Sequence, residues 1–287
     1  MTEPPNSADD ERRFPTSEPP VPFDPTGYPP AWHEVVATVP EPSGSRVVGA
    51  PLRYTHEDAD GSTVCEGYVA WDDALWDDAA TARPRPAVLL VHDWLGVGPT
   101  IQARAHMLAR LGYVAFAADV YGVDGRPGTH DEAAGAAGRY YQDLDLLRRR
   151  LHAAFEWLAA QRTVDATRVV AVGYCFGGSG ALELARTGAE LRGTVAFHAR
   201  LVTHDPSDAA EIRGPVLVLG GGDDPVVPDD AVHAFVDELR AAGVAWEMTR
   251  YGGAPHAFTI ADAPSFRPEA DRRSWVAFTD FLERVLA

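Results

Sequence analysis

Residues 168–180 read RVVAVGYCFGGSG, an apolar run broken by a glycine-rich turn and resumed as a stretch of small residues. Few architectures accommodate that order. The run 169–172 has the length and β-branched content of a buried strand, and the residues after the turn suit the start of a helix. Between them, Gly173-x-Cys175-x-Gly177 reproduces the strand–turn–helix pattern G-x-S-x-G with sulfur in place of the hydroxyl. The glycines have a mechanical purpose. In so sharp a turn, a side chain two residues before or after the central position would strike the adjoining strand or helix. The partial positive charge of a helix N-terminus favours a thiolate and a developing oxyanion, and the Phe176 N–H is placed to donate to the latter. A G-x-C-x-G string alone fits an ordinary buried cysteine equally well. Its place between strand and helix makes Cys175 the candidate nucleophile.

A turn of this kind needs a parallel sheet around it, and the flanking pattern predicts one. Apolar runs at 87–91, 113–117, 194–197, 216–219 and 246–251 read as strands. Helical spacing at 101–111, 131–161, 231–241 and 268–286 separates them, and a further helix runs from the Cys175 turn to about residue 186. Such alternation predicts an α/β fold with a mostly parallel central sheet and helices on both faces. Upstream, residues 51–71 read as an antiparallel hairpin turning at 58–61, which places Cys65 in a strand without catalytic context. Residues 1–30 are polar and proline-rich and are expected to form a disordered tail whose removal through residue 25 costs little stability. Residues 31–287 then form one domain.

Charge narrows the partners. The chain carries 42 acidic against 25 basic residues, every one of the latter arginine, for a net charge of −17. Such a surface repels nucleic acid and anionic lipid. The two cysteines do not make a disulfide framework, so both are expected reduced, in a cytoplasmic protein. The N-terminal stretch lacks the basic patch and apolar run of a secretory signal, and no apolar stretch is long enough to span a bilayer. A monomer is expected, with a homodimer as the alternative.

A cysteine nucleophile needs a base and an orienter, and the G-x-S-x-G order puts an acid and then a histidine on later strand ends. After 216–219 comes GGGDDPVVPDD, and after 246–251 comes GGAPHAF. Asp224 is the acid, because Asp229 or Asp230 better explains the cap of the next helix. His256 is the base. His198, closing the 194–197 strand, is expected at the same rim as a substrate-binding residue. The remaining histidines have no convincing metal-ligand spacing, and no metal or cofactor is expected.

Four segments together resemble the dienelactone hydrolase family, an α/β-hydrolase group: EGYVA at 66–70, VLLVHDWLGV at 88–97, GYCFGG, and the GGDDPVVP and PHAF pair. The resemblance covers roughly residues 50–287 and implies the α/β-hydrolase fold and cleavage of an ester or lactone. It also implies roles for individual residues. In the family an acidic residue of an HE-x-x-G segment holds the resting thiol protonated, and here that position is Asp93, one methylene shorter than glutamate. Trp94 takes the place of the second oxyanion donor through its N–H. Tyr121 falls in the segment Asp119-Val120-Tyr121-Gly122-Val123, matched to a substrate-binding stretch. Two arginines that hold the substrate carboxylate in the family are replaced by Val123 and Ile260, which argues against dienelactone itself. Arg126 and Arg200 are the remaining cations within reach of the pocket, but in a chain whose basic residues are all arginine they are expected at the surface. The competing function is a non-hydrolytic thiol protein, redox-sensitive or scaffolding, on the same fold.

Overall fold

The computed structural model describes residues 13–58, 61–78, 82–202 and 204–287. In chain order the strands are β1 (Val21–Pro22), β2 (Val47–Asp58), β3 (Gly61–Asp72), β4 (Arg85–Val91), β5 (Val114–Ala118), β6 (Val164–Tyr174), β7 (Gly193–Phe197), β8 (Val216–Gly221) and β9 (Trp246–Tyr251). The helices are α1 (Pro30–Ala37), α2 (Pro99–Arg110), α3 (His130–Gln142), α4 (Leu144–Ala159), α5 (Phe176–Arg186), α6 (Asp229–Ala241) and α7 (Pro268–Leu286). The strands form one sheet in the order β1-β2-β3-β5-β4-β6-β7-β8-β9. From β5 to β9 every pairing is parallel, whereas β1, β2 and β3 join antiparallel. This is the mostly parallel α/β sheet that the strand–helix alternation predicts, in the α/β-hydrolase arrangement that the family resemblance implies.

The central strands read as unbroken apolar runs because both faces are covered. In β4, Leu89 and Val91 join a core with α3, α4 and α5, while Val88 and Leu90 join the opposite core with α1, α2 and α7. A third cluster packs α6 under β8 through Phe235 and Leu239. Among the described residues, no helix is long and apolar enough to cross a membrane.

Two expectations are corrected here. The helix predicted over 131–161 is two helices, because Asp143 leaves helical geometry at φ −124°, ψ 81° and its side chain accepts the Leu146 N–H at 2.9 Å. A residue that satisfies a free helical N–H starts a new helix where spacing alone reads a continuous one. The second correction concerns the tail. Residues 1–12 lie outside the described residues, but within 13–30 several residues are held against the domain, although 17–22 stay exposed. Phe14 is 2% exposed with its ring 5.0 Å from Trp71, Thr16 bridges to Leu52, and Val21–Pro22 pairs with β2. Composition missed this because two aromatics anchor an otherwise polar segment, Phe14 beside Trp71 of β3 and Phe23 against His106 of α2. The hairpin forms with Asp58 opposite Gly61, and its tip, residues 59–60, lies outside the described residues.

Candidate active site

Strand β6 delivers Cys175 at its C-terminal end and α5 begins one residue later. Cys175 has φ 55°, ψ −114°, a strained conformation for a residue with a side chain. The flanking glycines are required by contact. A Cβ on Gly173 would lie 1.9 Å from the Gly177 carbonyl oxygen, and one on Gly177 would lie 2.2 Å from that of Val91. Any side chain at either position would open the turn.

Facing the thiol, His256 Nε2 lies 3.1 Å from Cys175 Sγ. The other ring nitrogen, Nδ1, donates to Asp224 Oδ2 at 2.9 Å. Asp224 is buried, and its Oδ1 accepts the Val226 N–H at 2.8 Å, so both carboxylate oxygens are engaged. Burial opposes a charged ring at His256, but its hydrogen bonds to Asp224 and Cys175, and the negative charge those groups carry, push its pKa up to about 9. Three strand ends, those of β6, β8 and β9, thus converge on one hydrogen-bonded line.

The loop after β4 forms the other wall. Phe176 opens α5, where N–H groups have no intrahelical acceptor. Trp94 presents its own N–H, which no hydrogen bond among the described residues takes up, and its carbonyl accepts the Tyr121 hydroxyl at 2.9 Å. His92 braces the same loop: Nδ1 donates to the Asp93 carbonyl at 2.5 Å and Nε2 accepts the Val120 N–H at 3.2 Å. Burial holds the His92 pKa down, so the ring keeps the neutral form that this pair of bonds requires. His92 was passed over in the sequence because no spacing marks it. Its position between β4 and Asp93 was the available signal.

A model of the dienelactone hydrolase family matches residues 73–286. The chain belongs to that family. A Salmonella typhimurium protein that carries the name carboxymethylenebutenolidase is 28% identical over 258 residues, covering 83% of this chain and 94% of that protein. A Bradyrhizobium relative, named a 2-oxo-3-(5-oxofuran-2-ylidene)propanoate lactonase, is 28% identical over 200 residues, 66% of this chain and 80% of the relative. Among solved structures, a dienelactone hydrolase-like promiscuous phosphotriesterase from metagenomic libraries is 35% identical. It superposes with a TM-score of 0.74, covering 83% of this chain and 99% of its own.

Several residues of this dienelactone hydrolase-family protein sit differently from expectation. Asp93 makes no hydrogen bond to Cys175 among the described residues; its Oδ1 accepts the Leu95 N–H at 2.8 Å instead. Burial raises the Asp93 pKa to about 6, against the lowering effect of that bond. The shorter side chain turns back on its own loop. Tyr121, expected to touch substrate, is 4% exposed, with its hydroxyl committed to Trp94. His198, expected at the open rim, is 1% exposed and sits behind His256, ring centroids 5.3 Å apart. Strand-end position was read correctly for both, but which way each side chain turns depends on neighbours distant in sequence. Arg126 is tied to Glu66 and Asp119, at 3.2 and 3.0 Å, and so anchors the EGYVA hairpin to β5. Arg200 is exposed and stacks over Tyr141, 5.1 Å from the ring centre. Both cysteines are free.

Proposed function

We propose that this protein hydrolyses carboxylic esters or lactones through a cysteine nucleophile. The observation that carries the reading is the unbroken line from Cys175 Sγ to His256 Nε2 at 3.1 Å and from His256 Nδ1 to Asp224 at 2.9 Å. His256 takes the thiol proton and Asp224 holds the imidazole in the tautomer that leaves Nε2 free to accept it. The thiolate attacks the carbonyl carbon, and the oxyanion is received by the N–H groups of Phe176 and Trp94. Collapse expels the alkoxide, which takes the proton from His256, and leaves an acyl-thioester. Water, deprotonated by the same histidine, then releases the acid and restores the thiol. In a lactone the leaving alkoxide stays attached to the acyl group, so one hydroxy acid is the product.

Lactone or ester substrates are supported by the names of the relatives, a carboxymethylenebutenolidase and a lactonase. With Val123 and Ile260 at the two positions where the family resemblance expects carboxylate-binding arginines, dienelactone itself is not the proposed substrate. A p-nitrophenyl ester tests the reaction class. Many equivalents of nitrophenol per protein, lost in Cys175→Ala, are expected. A single equivalent followed by arrest would mean a reactive thiol without hydrolase turnover.

A further inference from the structure

His198 does not belong to the Cys175–His256–Asp224 line, yet three residues of the loop that carries the base touch it. Its ring crosses that of His256 at 69° with centroids 5.3 Å apart, and that of Phe258 at 76° and 5.5 Å. Its Nε2 lies 2.8 Å from Thr259 Oγ1. The loop between these contacts is strained, since Ala257 has φ 58°, and His198 itself sits at φ 36° at the end of β7. Behind Thr259 the support continues. The Thr259 carbonyl accepts a hydrogen bond from Arg104 at 3.2 Å, and Arg104 is paired with Asp271. The Arg104 guanidinium is enclosed by Trp32, Trp275 and Tyr174, at 5.2, 5.2 and 5.8 Å from the ring centres. A left-handed backbone at two non-glycine residues persists only where surroundings over-determine it. Here the surroundings are a continuous buried stack ending at the base.

We propose that His198 is a positioning residue for His256: through Thr259 it clamps the loop bearing the base, and its ring is the surface against which that imidazole is held. The inference rests on reading Cys175 and His256 as a proton-transfer pair. With the proton on Nε2 and not on Sγ, the pair is a thiolate and an imidazolium, and that cation lies against His198. A charged His198 would oppose it. Burial, the neighbouring His256 charge and Arg104 all hold the His198 pKa well below its ordinary value. The groups facing His198 are His256 and Thr259 of the histidine loop, Tyr174 of β6 and Arg104 of α2. Asp224 and Arg250 line the small cavity that His198 also lines. Among these, the carboxylate of Asp224 is committed to His256 and Val226, so a neutral His198 is the state that fits.

The test is the pH dependence of Cys175 alkylation by iodoacetamide, followed by mass spectrometry of the Cys175 peptide, in Thr259→Val, His198→Phe and the double variant. Thr259→Val removes one hydroxyl and keeps the shape; His198→Phe keeps a ring and removes the bond. Each single variant is expected to narrow the reactive pH range and to lower the rate at pH 7 by roughly tenfold, the equivalent of one pK unit. The double variant is expected to fall no further than either, because both changes break one connection. Profiles of both singles that superimpose on the parent overturn the proposal, as do losses that multiply in the double. Thr259→Val decides alone if His198→Phe does not fold. An unaltered protein that turns over no ester, with variants whose alkylation profiles still move, sinks the hydrolase reading and leaves the positioning role. Ester turnover through Cys175 with unmoved profiles does the reverse.

Discussion

Cys65 and Cys175 carry the same thiol on the same sheet, and the protein treats them as different chemical groups. Cys65 lies within β3, fully buried, with Arg150 donating to its sulfur at 3.1 Å. Burial pushes the Cys65 thiol up, and the lowering by Arg150 does not reverse it. Cys175 stands past the end of β6, half-buried, at a turn that no regular strand geometry permits, with His256 Nε2 at 3.1 Å. Strand interior and strand end differ in what they leave open. Within a strand, a side chain is committed to one face of the sheet and to the core that covers it. Past the end, the same side chain points into the crevice that parallel strands leave at their carboxyl ends. What surrounds each thiol is a property of its address.

Exchanging the two thiols for methyl groups breaks the comparison most sharply. Cys175→Ala is expected to lower ester turnover by at least about a thousandfold with little change in melting temperature, since nucleophile loss removes nearly the whole rate advantage of such a constellation. Cys65→Ala is expected to keep turnover and to lose about 1–2 kcal/mol of stability, as small core truncations do. Steady-state kinetics and thermal melts on both variants check this. Turnover retained in Cys175→Ala, or lost in Cys65→Ala with the fold intact, would reverse the assignment.

The contrast also separates what one-dimensional pattern reveals from what it hides. The strand ends that bring Cys175, Asp224 and His256 together were readable because periodicity locates them, in an order the turn motif requires. The parallel sheet was readable for the same reason. The turn of Tyr121 toward Trp94 and of His198 toward Thr259 was not, because each is decided by packing between segments far apart in sequence; Asp93 instead closes a local turn onto Leu95, two residues on, which the family's longer acidic residue gave no reason to expect. The break at Asp143 was hidden because a capping carboxylate leaves the apolar spacing of α3 and α4 unchanged.

The antiparallel half offers a second, smaller contrast. Its edge is held in part by residues 13–22, a segment whose composition suggested nothing to hold. Phe14 buries its ring beside Trp71, and Arg13 donates to the Trp76 carbonyl at 3.1 Å. Phe14→Ala is therefore expected to cost about 3 kcal/mol. For a domain of this size that corresponds to a fall of roughly 6–12 °C in melting temperature. Deletion of residues 1–12, which removes neither contact, provides the control. Equal melting temperatures for parent and Phe14→Ala would return the segment to the status of a tail.

The finest distinction lies within the active-site wall, between a carboxylate that governs the thiol and one that builds the loop. Asp93 has a folded pKa of about 6 against an ordinary value of 3.8, raised chiefly by burial. A carboxyl group whose pKa rises on folding contributes stability that is complete below the unfolded value and lost as pH climbs through the folded one. Asn at this position keeps an oxygen to accept the Leu95 N–H and never ionises. Asp93→Asn should therefore match the parent in melting temperature near pH 4 and exceed it above pH 6, with the gap opening across that interval. Iodoacetamide reactivity of Cys175 should change by no more than about twofold, because the carboxylate is bonded to Leu95 and not to the sulfur. Asp93→Glu should behave differently. Its extra methylene adds about 1.5 Å of reach, which loosens the bond to Leu95 and extends the charge beyond its own loop toward the crevice. Lower alkylation in Asp93→Glu with near-parental alkylation in Asp93→Asn would place control of the thiol in side-chain length. A large rise in alkylation on Asp93→Asn would instead make Asp93 a governor of the thiol across a gap that no hydrogen bond spans.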